Sequence, residues 1–538
     1  MVEKKRDSMT VSASHDAPSE FASKAVSKDE YQLAQLGYKQ AFLQLSNLQT
    51  LTEINRQTMN FVSGIPMMFT FAMSTGGPQS SFSNWTMVGG FSTIVSLAMA
   101  EIAAALPVAG GIYYWSYYLG GPKWGPFLSW MTAWWNWAGW ITVPAGVQQG
   151  ATNFLLSALE IQYPDAEFLS KGWFSWILTA LGILVAMLPN VISPRVLQLY
   201  FRFAITIFFT LFFMYWIWLP VGAHGHFQPS AGVFKHFNNG INYGDKKQAS
   251  DGYTWVVSTL FGAWIFFGYD ASAHLAEETN EASSVVAKGM WMATLSGWVL
   301  SVPTLILILF CIQDFDAIVA GTYSNNWAEY LMQLIGPAGS TAILVLLWAD
   351  STCATASAFM SAQRVTYAIS RDNVLPFSKY FRQLTSTHRM PLHAAYFVAA
   401  FSIAISTAAI GSSVALGAIT ATSTIAVNFS YLFPIIARQT VGAKVFIPAK
   451  WNLGKISPII AAISSVWICY LFVVLLLPQV YPVTGQTLNY APVMIGSITL
   501  ISLVGWVFPF GLGGRHWFKG PQKTITDSET EVLEGTVP

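Results

Sequence analysis

Charged residues are scarce in this chain. Lys, Arg, Asp and Glu make up 10% of its 538 residues, whereas 53% are hydrophobic. A soluble globular domain carries roughly 25% charged residues, so this chain has too few to cover a surface that faces water throughout. The net charge is +1 and there is no basic stripe, which argues against nucleic acid as a partner. The composition therefore indicates a protein embedded in a lipid bilayer.

Cysteine is also rare. Cys311, Cys353 and Cys469 all lie inside apolar runs, without the paired spacing of a disulfide framework or a zinc site. We therefore expect no disulfide, no metal site and no cofactor. The polar start of the chain also lacks the apolar core of a secretory leader.

Three regions follow from the distribution of polar residues. Residues 1–56 are rich in Ser, Lys and Glu and are predicted to form a largely disordered cytosolic tail, open to cytosolic regulators. Residues 57–512 are predicted to form one all-α membrane domain, and residues 513–538 a second, shorter cytosolic tail.

The apolar runs predict twelve transmembrane helices. A membrane-spanning helix needs roughly 20 mostly apolar residues to cross a hydrocarbon layer of about 30 Å. The predicted spans, numbered 1 to 12 in chain order, are Met59–Ser74, Met87–Leu106, Pro126–Leu159, Trp173–Pro189, Val196–Val221, Thr254–Leu275, Met290–Ile312, Ala338–Ser370, His393–Ile410, Ser413–Ala437, Ile459–Leu477 and Pro492–Phe510.

Basic residues in the loops predict the orientation, because Lys and Arg accumulate on the cytosolic side. With the N-terminus inside, the outer loops contain Lys171, Lys235, Lys246 and Lys247. The inner loops and the C-terminal tail contain Lys123, Arg195, Lys288, Arg371, Lys379, Arg382, Arg389, Arg438, Lys444, Lys450, Lys455, Arg515, Lys519 and Lys523. Both termini are therefore predicted to be cytosolic.

Spans 1 and 6 are predicted to be discontinuous. Span 1 contains Ser63-Gly64-Ile65-Pro66 and span 6 contains Phe267-Gly268-Tyr269-Asp270-Ala271. Proline cannot donate to the carbonyl four residues earlier and clashes with it, so span 1 should kink or open. A matched pair of interrupted helices in two repeats of five indicates a transporter binding site. The alternative is a proline kink and a packing glycine.

Ionisable residues inside spans are costly and are usually functional. Asp270 is the strongest candidate, followed by Asp350 in span 8, Arg202 in span 5 and Glu101 in span 2. His274 lies one turn beyond Asp270, on the same helix face. The pair could relay protons, since His titrates near neutral pH, or His274 could simply bond a neighbouring carbonyl. Arg202 could pair with Asp350.

Two further groups have a functional and a structural interpretation. Glu277 and Glu278, at the cytosolic end of span 6, could bridge to Arg364 or Arg371 and close an inner gate, or could simply be solvated. The span 3 tryptophans, which include Trp130, Trp134 and Trp137, form a helical stripe. The stripe is predicted to serve for packing, with one tryptophan, Trp137, a candidate wall for an organic cation.

Several stretches resemble the amino acid–polyamine–organocation (APC) superfamily, and within it the fungal amino acid/choline transporter family, which includes γ-aminobutyrate and choline permeases. The most specific is AEIAAALPVAGGIYYW at 100–115. The others are LGYKQ at 36–40, GGP at 76–78, GYD at 268–270 with HLAEE at 274–278, RD at 371–372 with LP at 375–376, and PVT at 482–484 with NYAP at 489–492.

The resemblance implies a five-plus-five inverted repeat of the LeuT type, with substrate held between spans 1 and 6. The backbone of Ser63, Gly64 and Ile65 would bind a carboxylate, and residues 268–271 would form the other side of the pocket. It also implies uptake driven by protons. Some relatives have a span 5 lysine in place of a sodium ion, whereas this chain has Arg202, out of register.

The sequence therefore predicts a secondary transporter, a proton-coupled symporter that imports an amino acid or γ-aminobutyrate. A choline, polyamine or thiamine permease and a non-transporting nutrient receptor are the alternatives. An enzyme is not expected, because no nucleophile accompanies Asp270 and His274. The plasma membrane is preferred to the vacuole as its location.

Overall fold

The structure, a computed structural model, describes residues 28–38, 59–243, 247–386, 388–411, 415–523 and 525. Within these ranges the regular secondary structure is helical, with two isolated β-bridges, Thr75–Asn239 and Asn242–Tyr481, and no strand. The fold is therefore all-α in the described part of the chain, as the composition predicts.

Seven helices are long and apolar enough to cross a membrane, among the residues that the structure describes. They are Gly77–Ala105, Gly172–Ile192, Pro194–Gly222, Ala282–Phe310, Trp327–Arg371, Gly417–Gln439 and Gly454–Val474. Two shorter apolar helices, Leu392–Ser406 and Ala491–Val507, match predicted spans 9 and 12. Span 3 lies within a helix that runs from Ile112 to Gln162 and bends at Gly121.

Burial separates the centre of the bundle from its periphery. The helix of span 10 buries 83% of its apolar window, against 33% for the helices of spans 4 and 5. Spans 8 and 10 both pack against span 3, and span 7 packs against span 2. Spans 4 and 5 expose large apolar side chains such as Leu181, Phe203 and Ile217. Spans 3 and 10, with the second half of span 8, which is buried from Asp350 to Ser370, therefore form the centre, and the exposed apolar surface suits lipid.

The chain divides into two units, residues 41–522 and a small unit of residues 1–40 and 523–538. The small unit contains the helix Lys28–Gln35, where Ala34 packs with Ile525 and Tyr31. This helix lies in the tail that was predicted to be largely disordered. Most of that tail, residues 1–27 and 39–56, lies outside the described residues.

Span 1 is interrupted, but not where the sequence placed the opening. Its helices are Phe61–Met67 and Phe69–Ser74, and the break is at Met68, two residues after Pro66. Ser63, Gly64 and Ile65 are helical. The amide of Ser63 donates to Asn60 Oδ1 at 3.4 Å and that of Gly64 to the Asn60 carbonyl at 2.9 Å. The predicted carboxylate-binding backbone is therefore already partly engaged.

Side chains from other parts of the chain donate hydrogen bonds to the backbone carbonyls that the interrupted span 1 leaves unpaired. Pro66 cannot donate to the Val62 carbonyl, and Tyr215 in span 5 donates to it instead at 3.0 Å. Asn325 Nδ2 donates to the Pro66 carbonyl at 3.2 Å and the Met67 carbonyl at 3.5 Å. The open backbone is thus satisfied inside the protein, as a bilayer requires.

Span 6 is interrupted at the predicted place. Helical turns Asp251–Val257 and Thr259–Ala263 precede an open stretch, and a 3₁₀ helix, Tyr269–Glu278, follows it. Gly268 has φ of +81°, a conformation that favours glycine. A Cβ at Gly64 would overlap the side chain of Ile265. The two interrupted spans therefore meet, and a larger residue at position 64 would force the Ile265 side chain to shift.

Replacing Tyr215 with Phe should destabilise the protein, because the buried Val62 carbonyl would lose its donor. We expect a cost of about 1–3 kcal/mol, seen as a lower melting temperature of the detergent-purified protein. Tyr396→Phe is the matched control, since Tyr396 is 53% exposed. Equal melting temperatures for the two variants would contradict this account of the break.

Candidate functional site

Asp270 lies at the centre of a buried polar cluster built from three spans. Its Oδ2 accepts hydrogen bonds from Trp140 Nε1 at 2.9 Å and Asn136 Nδ2 at 3.3 Å, both in span 3. Its Oδ1 accepts one from the Tyr431 hydroxyl of span 10 at 2.6 Å. Each oxygen of a carboxylate can accept about two hydrogen bonds. Oδ1 accepts one, from Tyr431, so it can accept another.

His274 contacts the same carboxylate, as the one-turn spacing predicted. Its Nε2 lies 3.1 Å from Asp270 Oδ2, and both side chains are almost fully buried. The other ring nitrogen, Nδ1, is buried and has no hydrogen-bond partner in the described part of the chain. The histidine is therefore held by Asp270 at one nitrogen and open at the other, which argues against the alternative in which a carbonyl satisfies it.

The remaining span 6 candidates surround this cluster. Phe267 packs against Trp264, with ring centroids 5.4 Å apart. Tyr269 packs against Tyr431 at 5.1 Å, and its buried hydroxyl has no partner among the described residues. The amide of Ala271 donates to the Gly268 carbonyl at 3.1 Å. All of these residues are buried, so the open stretch of span 6 lies inside the protein.

Asp350 is bound to span 1 rather than to Arg202. Asn60 Nδ2 donates to Asp350 Oδ2 at 2.6 Å, and Asn60 Oδ1 accepts from the Val62 amide at the start of the span 1 helix. Asp350 is fully buried, whereas Arg202 is exposed on the surface of span 5. The predicted Arg202–Asp350 pair is therefore wrong: no ion pair joins the two among the described residues, since one side chain is buried and the other is exposed.

Trp137 faces spans 8 and 9. Its Nε1 donates to Thr366 Oγ1 at 3.1 Å, and its ring stacks on Phe397 with a centroid distance of 6.3 Å. These contacts fit the packing interpretation of the stripe and direct Trp137 toward spans 8 and 9. Trp140, which the sequence did not single out, is the tryptophan that contacts Asp270.

Two ion pairs close the predicted cytosolic end of span 6. Arg364 Nε donates to Glu278 Oε1 at 2.8 Å, and Arg371 Nη1 lies 3.5 Å from Glu277 Oε1. The Ala109 amide, between spans 2 and 3, donates to the same Glu277 oxygen at 3.3 Å. The contacts proposed for Glu277 and Glu278 are therefore present, with Glu277 fully buried and Glu278 15% exposed.

A cavity of about 420 Å³ opens on the opposite side of the site. It reaches the break of span 1 at Met67 and Met68, and Asn325 lines it as well. Its other walls come from Leu260 in span 6, residues 417–420 in span 10 and the loops at 240–243 and 479–489. None of its described lining residues is Asp, Glu, Lys, Arg or His.

Sequence reasoning missed the amides and hydroxyls around the carboxylates. Asn60, Asn136, Tyr431 and Asn325 are neutral and sit in ordinary-looking positions, so nothing in the chain's pattern distinguishes them from packing residues. Asn325 lies 259 residues from the carbonyl that it caps. Only the tertiary contacts identify these four.

A family model described as amino acid permease matches residues 56–498. This chain belongs to that family, within the APC superfamily. It is 29% identical over 521 residues to the amino-acid permease BAT1 of Arabidopsis thaliana, covering 92% of this chain and 96% of the relative. A homologue of BAT1 from Oryza sativa is also 29% identical, covering 91% and 94%.

A third relative is named for a different substrate. The thiamine transporter thi9 of Schizosaccharomyces pombe is 27% identical, over 88% of this chain and 83% of the relative. Membership of the family makes this permease an integral membrane transporter of amino acids or related organic cations, rather than an enzyme.

Removing the cation of a buried ion pair should be costly in this permease. Arg364→Gln leaves Glu278, whose side chain is only 15% exposed, without this partner, and we expect a loss of about 1.5–3 kcal/mol, measured by thermal unfolding. Lys247 and Asp251 form an exposed pair, in which the Lys247 hydrogen bond holds the pKa of Asp251 below its usual value. Lys247→Gln is the control and should leave the melting temperature unchanged. An equally stable Arg364→Gln variant would show that the Glu278 pair contributes nothing.

Proposed function

We propose that this permease is a proton-coupled symporter that imports a small, net-neutral amino-containing metabolite, such as an amino acid or γ-aminobutyrate. In this proposal twelve spans form two inverted repeats of five plus two further helices, and the substrate binds between interrupted spans 1 and 6. Neither a metal nor an organic cofactor takes part, and the proton gradient supplies the energy.

The observation that supports this proposal most is the meeting of the two interrupted spans below an open cavity. Gly64 contacts Ile265, and the cavity of about 420 Å³ extends to Met67 and Met68 at the span 1 break. That volume is within the range of small-molecule sites. Interrupted helices supply backbone polar groups at the depth where a solute must be bound.

The lining of the cavity favours a net-neutral solute. Its polar residues, among them Asn153, Gln479 and Asn489, are amides and hydroxyls without formal charge. A polyamine would have to shed its hydration shell at such a wall without a compensating carboxylate. A zwitterion carries no net charge, so the amides and hydroxyls of the wall and the backbone groups near the span 1 break can bind its ammonium and its carboxylate. We therefore rank an amino acid or γ-aminobutyrate above choline, polyamines and thiamine.

We assign three roles to the candidate residues. Residues 63–65 and 267–271 form the substrate site around Asp270, although Ser63 and Gly64 would have to exchange their bonds to Asn60. His274 and Asp270 exchange the coupled proton. Asp350 positions the start of span 1 through its hydrogen bond with Asn60. The Glu277–Arg371 and Glu278–Arg364 pairs close the cytosolic gate while the cavity is open on the other side. Trp137 and Arg202 have no role in substrate contact in this scheme.

We further propose that both termini are cytosolic, that the permease resides in the plasma membrane, and that cytosolic regulators bind the N-terminal tail. The Lys and Arg distribution supports the orientation. The plasma-membrane location follows from the expectation that the permease takes up nutrients.

Uptake in cells that lack their own permeases tests the proposal. We would supply radiolabelled γ-aminobutyrate, a neutral amino acid, putrescine, choline and thiamine, each with and without a protonophore. Saturable, protonophore-sensitive uptake of γ-aminobutyrate or the amino acid is expected. Asp270→Asn should reduce it to about a tenth or less, because the buried cluster loses about 1–3 kcal/mol of hydrogen bonding. Asp316→Asn is the control, since Asp316 is exposed.

Thiamine or choline uptake alone would replace the substrate assignment, and uptake that ignores the protonophore would remove proton coupling. Surface-located protein that transports none of the five would support the receptor alternative. Wild-type transport by Asp270→Asn would remove Asp270 from the mechanism.

His274→Gln should flatten the pH dependence of uptake measured between about pH 5 and 8, because a histidine can carry the coupled proton and a glutamine cannot. Glutamine can still donate to Asp270 but cannot carry the proton. His393→Gln is the control, because His393 is exposed. Initial rates at fixed membrane potential, measured across that range, are the readout. A profile for His274→Gln that matches the wild type would restrict His274 to a structural role.

A further inference from the structure

The chain does not leave the bundle when span 12 ends. The segment 513–522, called the C-terminal strap below, turns back and packs on span 3. The rings of Trp517 and Phe518 lie 5.7 and 5.5 Å from the ring of Trp130, which is buried and donates to the Ser502 carbonyl at 2.8 Å. Phe518 is only 4% exposed. The strap is therefore anchored by aromatic packing to spans 3 and 12.

Beyond that anchor the strap crosses the start of the long span 3 helix. Gly520 has φ of +106°, and a Cβ built there would overlap the ring of Tyr117. The amide of Gln522 then donates to Asp372 Oδ1 at 3.0 Å. Gly520 is thus needed both for the backbone conformation and for the close approach, and it carries the strap from span 3 to the end of span 8.

Asp372 connects the strap to the cytosolic gate. It follows Arg371, whose guanidinium faces Glu277. Its Oδ2 accepts a hydrogen bond from the Tyr113 hydroxyl at 2.7 Å. Tyr113 lies in the first turn of the span 3 helix, which begins at Ile112. It is four residues after Ala109, whose amide donates to Glu277. The strap and the gate therefore share the ends of spans 3 and 8.

We propose that the C-terminal strap is a brake on the cytosolic gate. Docked, it ties the start of the span 3 helix to Asp372 and so holds these elements where the Glu277–Arg371 pair can close. Opening the cytosolic side requires these ends to separate, and the bond from Gln522 and the packing at Gly520 oppose that separation. Release of the strap shifts the gate toward its open state. This inference rests on the proposed transport function, as regulation of the same gate.

The contacts have the strength that a reversible brake needs. One backbone hydrogen bond to a carboxylate and a small aromatic cluster are modest interactions, and the strap residues Trp517 and Gln522 remain partly exposed. A modest bias is sufficient to change the population of a gate by several-fold.

Two glycine substitutions test the brake. Gly520→Ala should undock the strap by driving a methyl group into Tyr117. Gly511→Ala is the matched control: Gly511 also has a positive φ, +75°, but has no atom within 4 Å of a built Cβ. Both variants carry the same kind of backbone strain, and only the first disturbs the strap. They are compared in the full-length chain.

The main readout does not depend on transport. A cysteine is introduced at Ala276, which is 2% exposed and adjoins Glu277, after Cys311, Cys353 and Cys469 have been replaced by alanine. Maleimide labelling is followed in inside-out vesicles. We expect labelling several-fold faster with Gly520→Ala than with the unmodified strap, and no change with Gly511→Ala. The maximal uptake rate of the transported solute should rise while its KM stays the same.

Unchanged labelling with Gly520→Ala, or equal acceleration by Gly511→Ala, would overturn the brake. Faster labelling in a permease that transports none of the tested solutes would support the brake while contradicting the proposed substrate class. If Gly520→Ala does not reach the membrane, Phe518→Ala replaces it, since it removes the anchor without adding volume, and the same outcomes apply.

Discussion

The structure depends on one constraint: a backbone amide or carbonyl inside a bilayer must find its partner within the protein. Two helices of the permease, spans 1 and 6, are interrupted inside the bundle, where the constraint applies most strictly. At the span 1 break the Val62 carbonyl bonds to Tyr215, and the Pro66 and Met67 carbonyls bond to Asn325. These donors come from span 5 and from the loop before span 8. The open backbone of span 1 is therefore satisfied by residues far from it in the sequence.

The same constraint governs the buried charges. Asp270 is surrounded by three donors from spans 3 and 10 and by His274, and Asp350 is bonded to Asn60. Each carboxylate thus joins an interrupted helix to an uninterrupted one. A change of protonation or of bound solute at either carboxylate would alter contacts between helices, which is how a local event could reach a gate.

The two ends of the bundle differ in this conformation. One end has a neutral cavity that extends to the span 1 break, and the other has the Glu277 and Glu278 ion pairs, with the strap beside them. Buried pairs of charges hold only when both partners are present, whereas a wall of amides and hydroxyls lets a solute pass. The proposed direction of access follows from this asymmetry.

Much of the fold, and part of the candidate site, could be predicted from the sequence. Apolar runs predicted the helices, because spanning a bilayer fixes their length and composition. Gly268 beside Asp270 predicted the span 6 break, and the one-turn spacing of His274 predicted its contact with Asp270, since both depend on local geometry. The family could be recognised from its motifs as well.

Other features were decided only by the tertiary structure. Sequence reasoning placed the span 1 opening at Ser63–Pro66, but the break is at Met68, because Asn60 caps the helix and Asn325 satisfies the carbonyls beyond it. It paired Arg202 with Asp350, whereas Arg202 is exposed and Asn60 holds the carboxylate. It chose Trp137 as a candidate wall of the substrate site, whereas Trp140 is the tryptophan that contacts Asp270. The chain itself determined which residues are apolar, charged or unable to continue a helix. Packing alone determined which distant amide or hydroxyl meets each exposed backbone group and buried charge, because those partners are neutral residues that leave no local pattern.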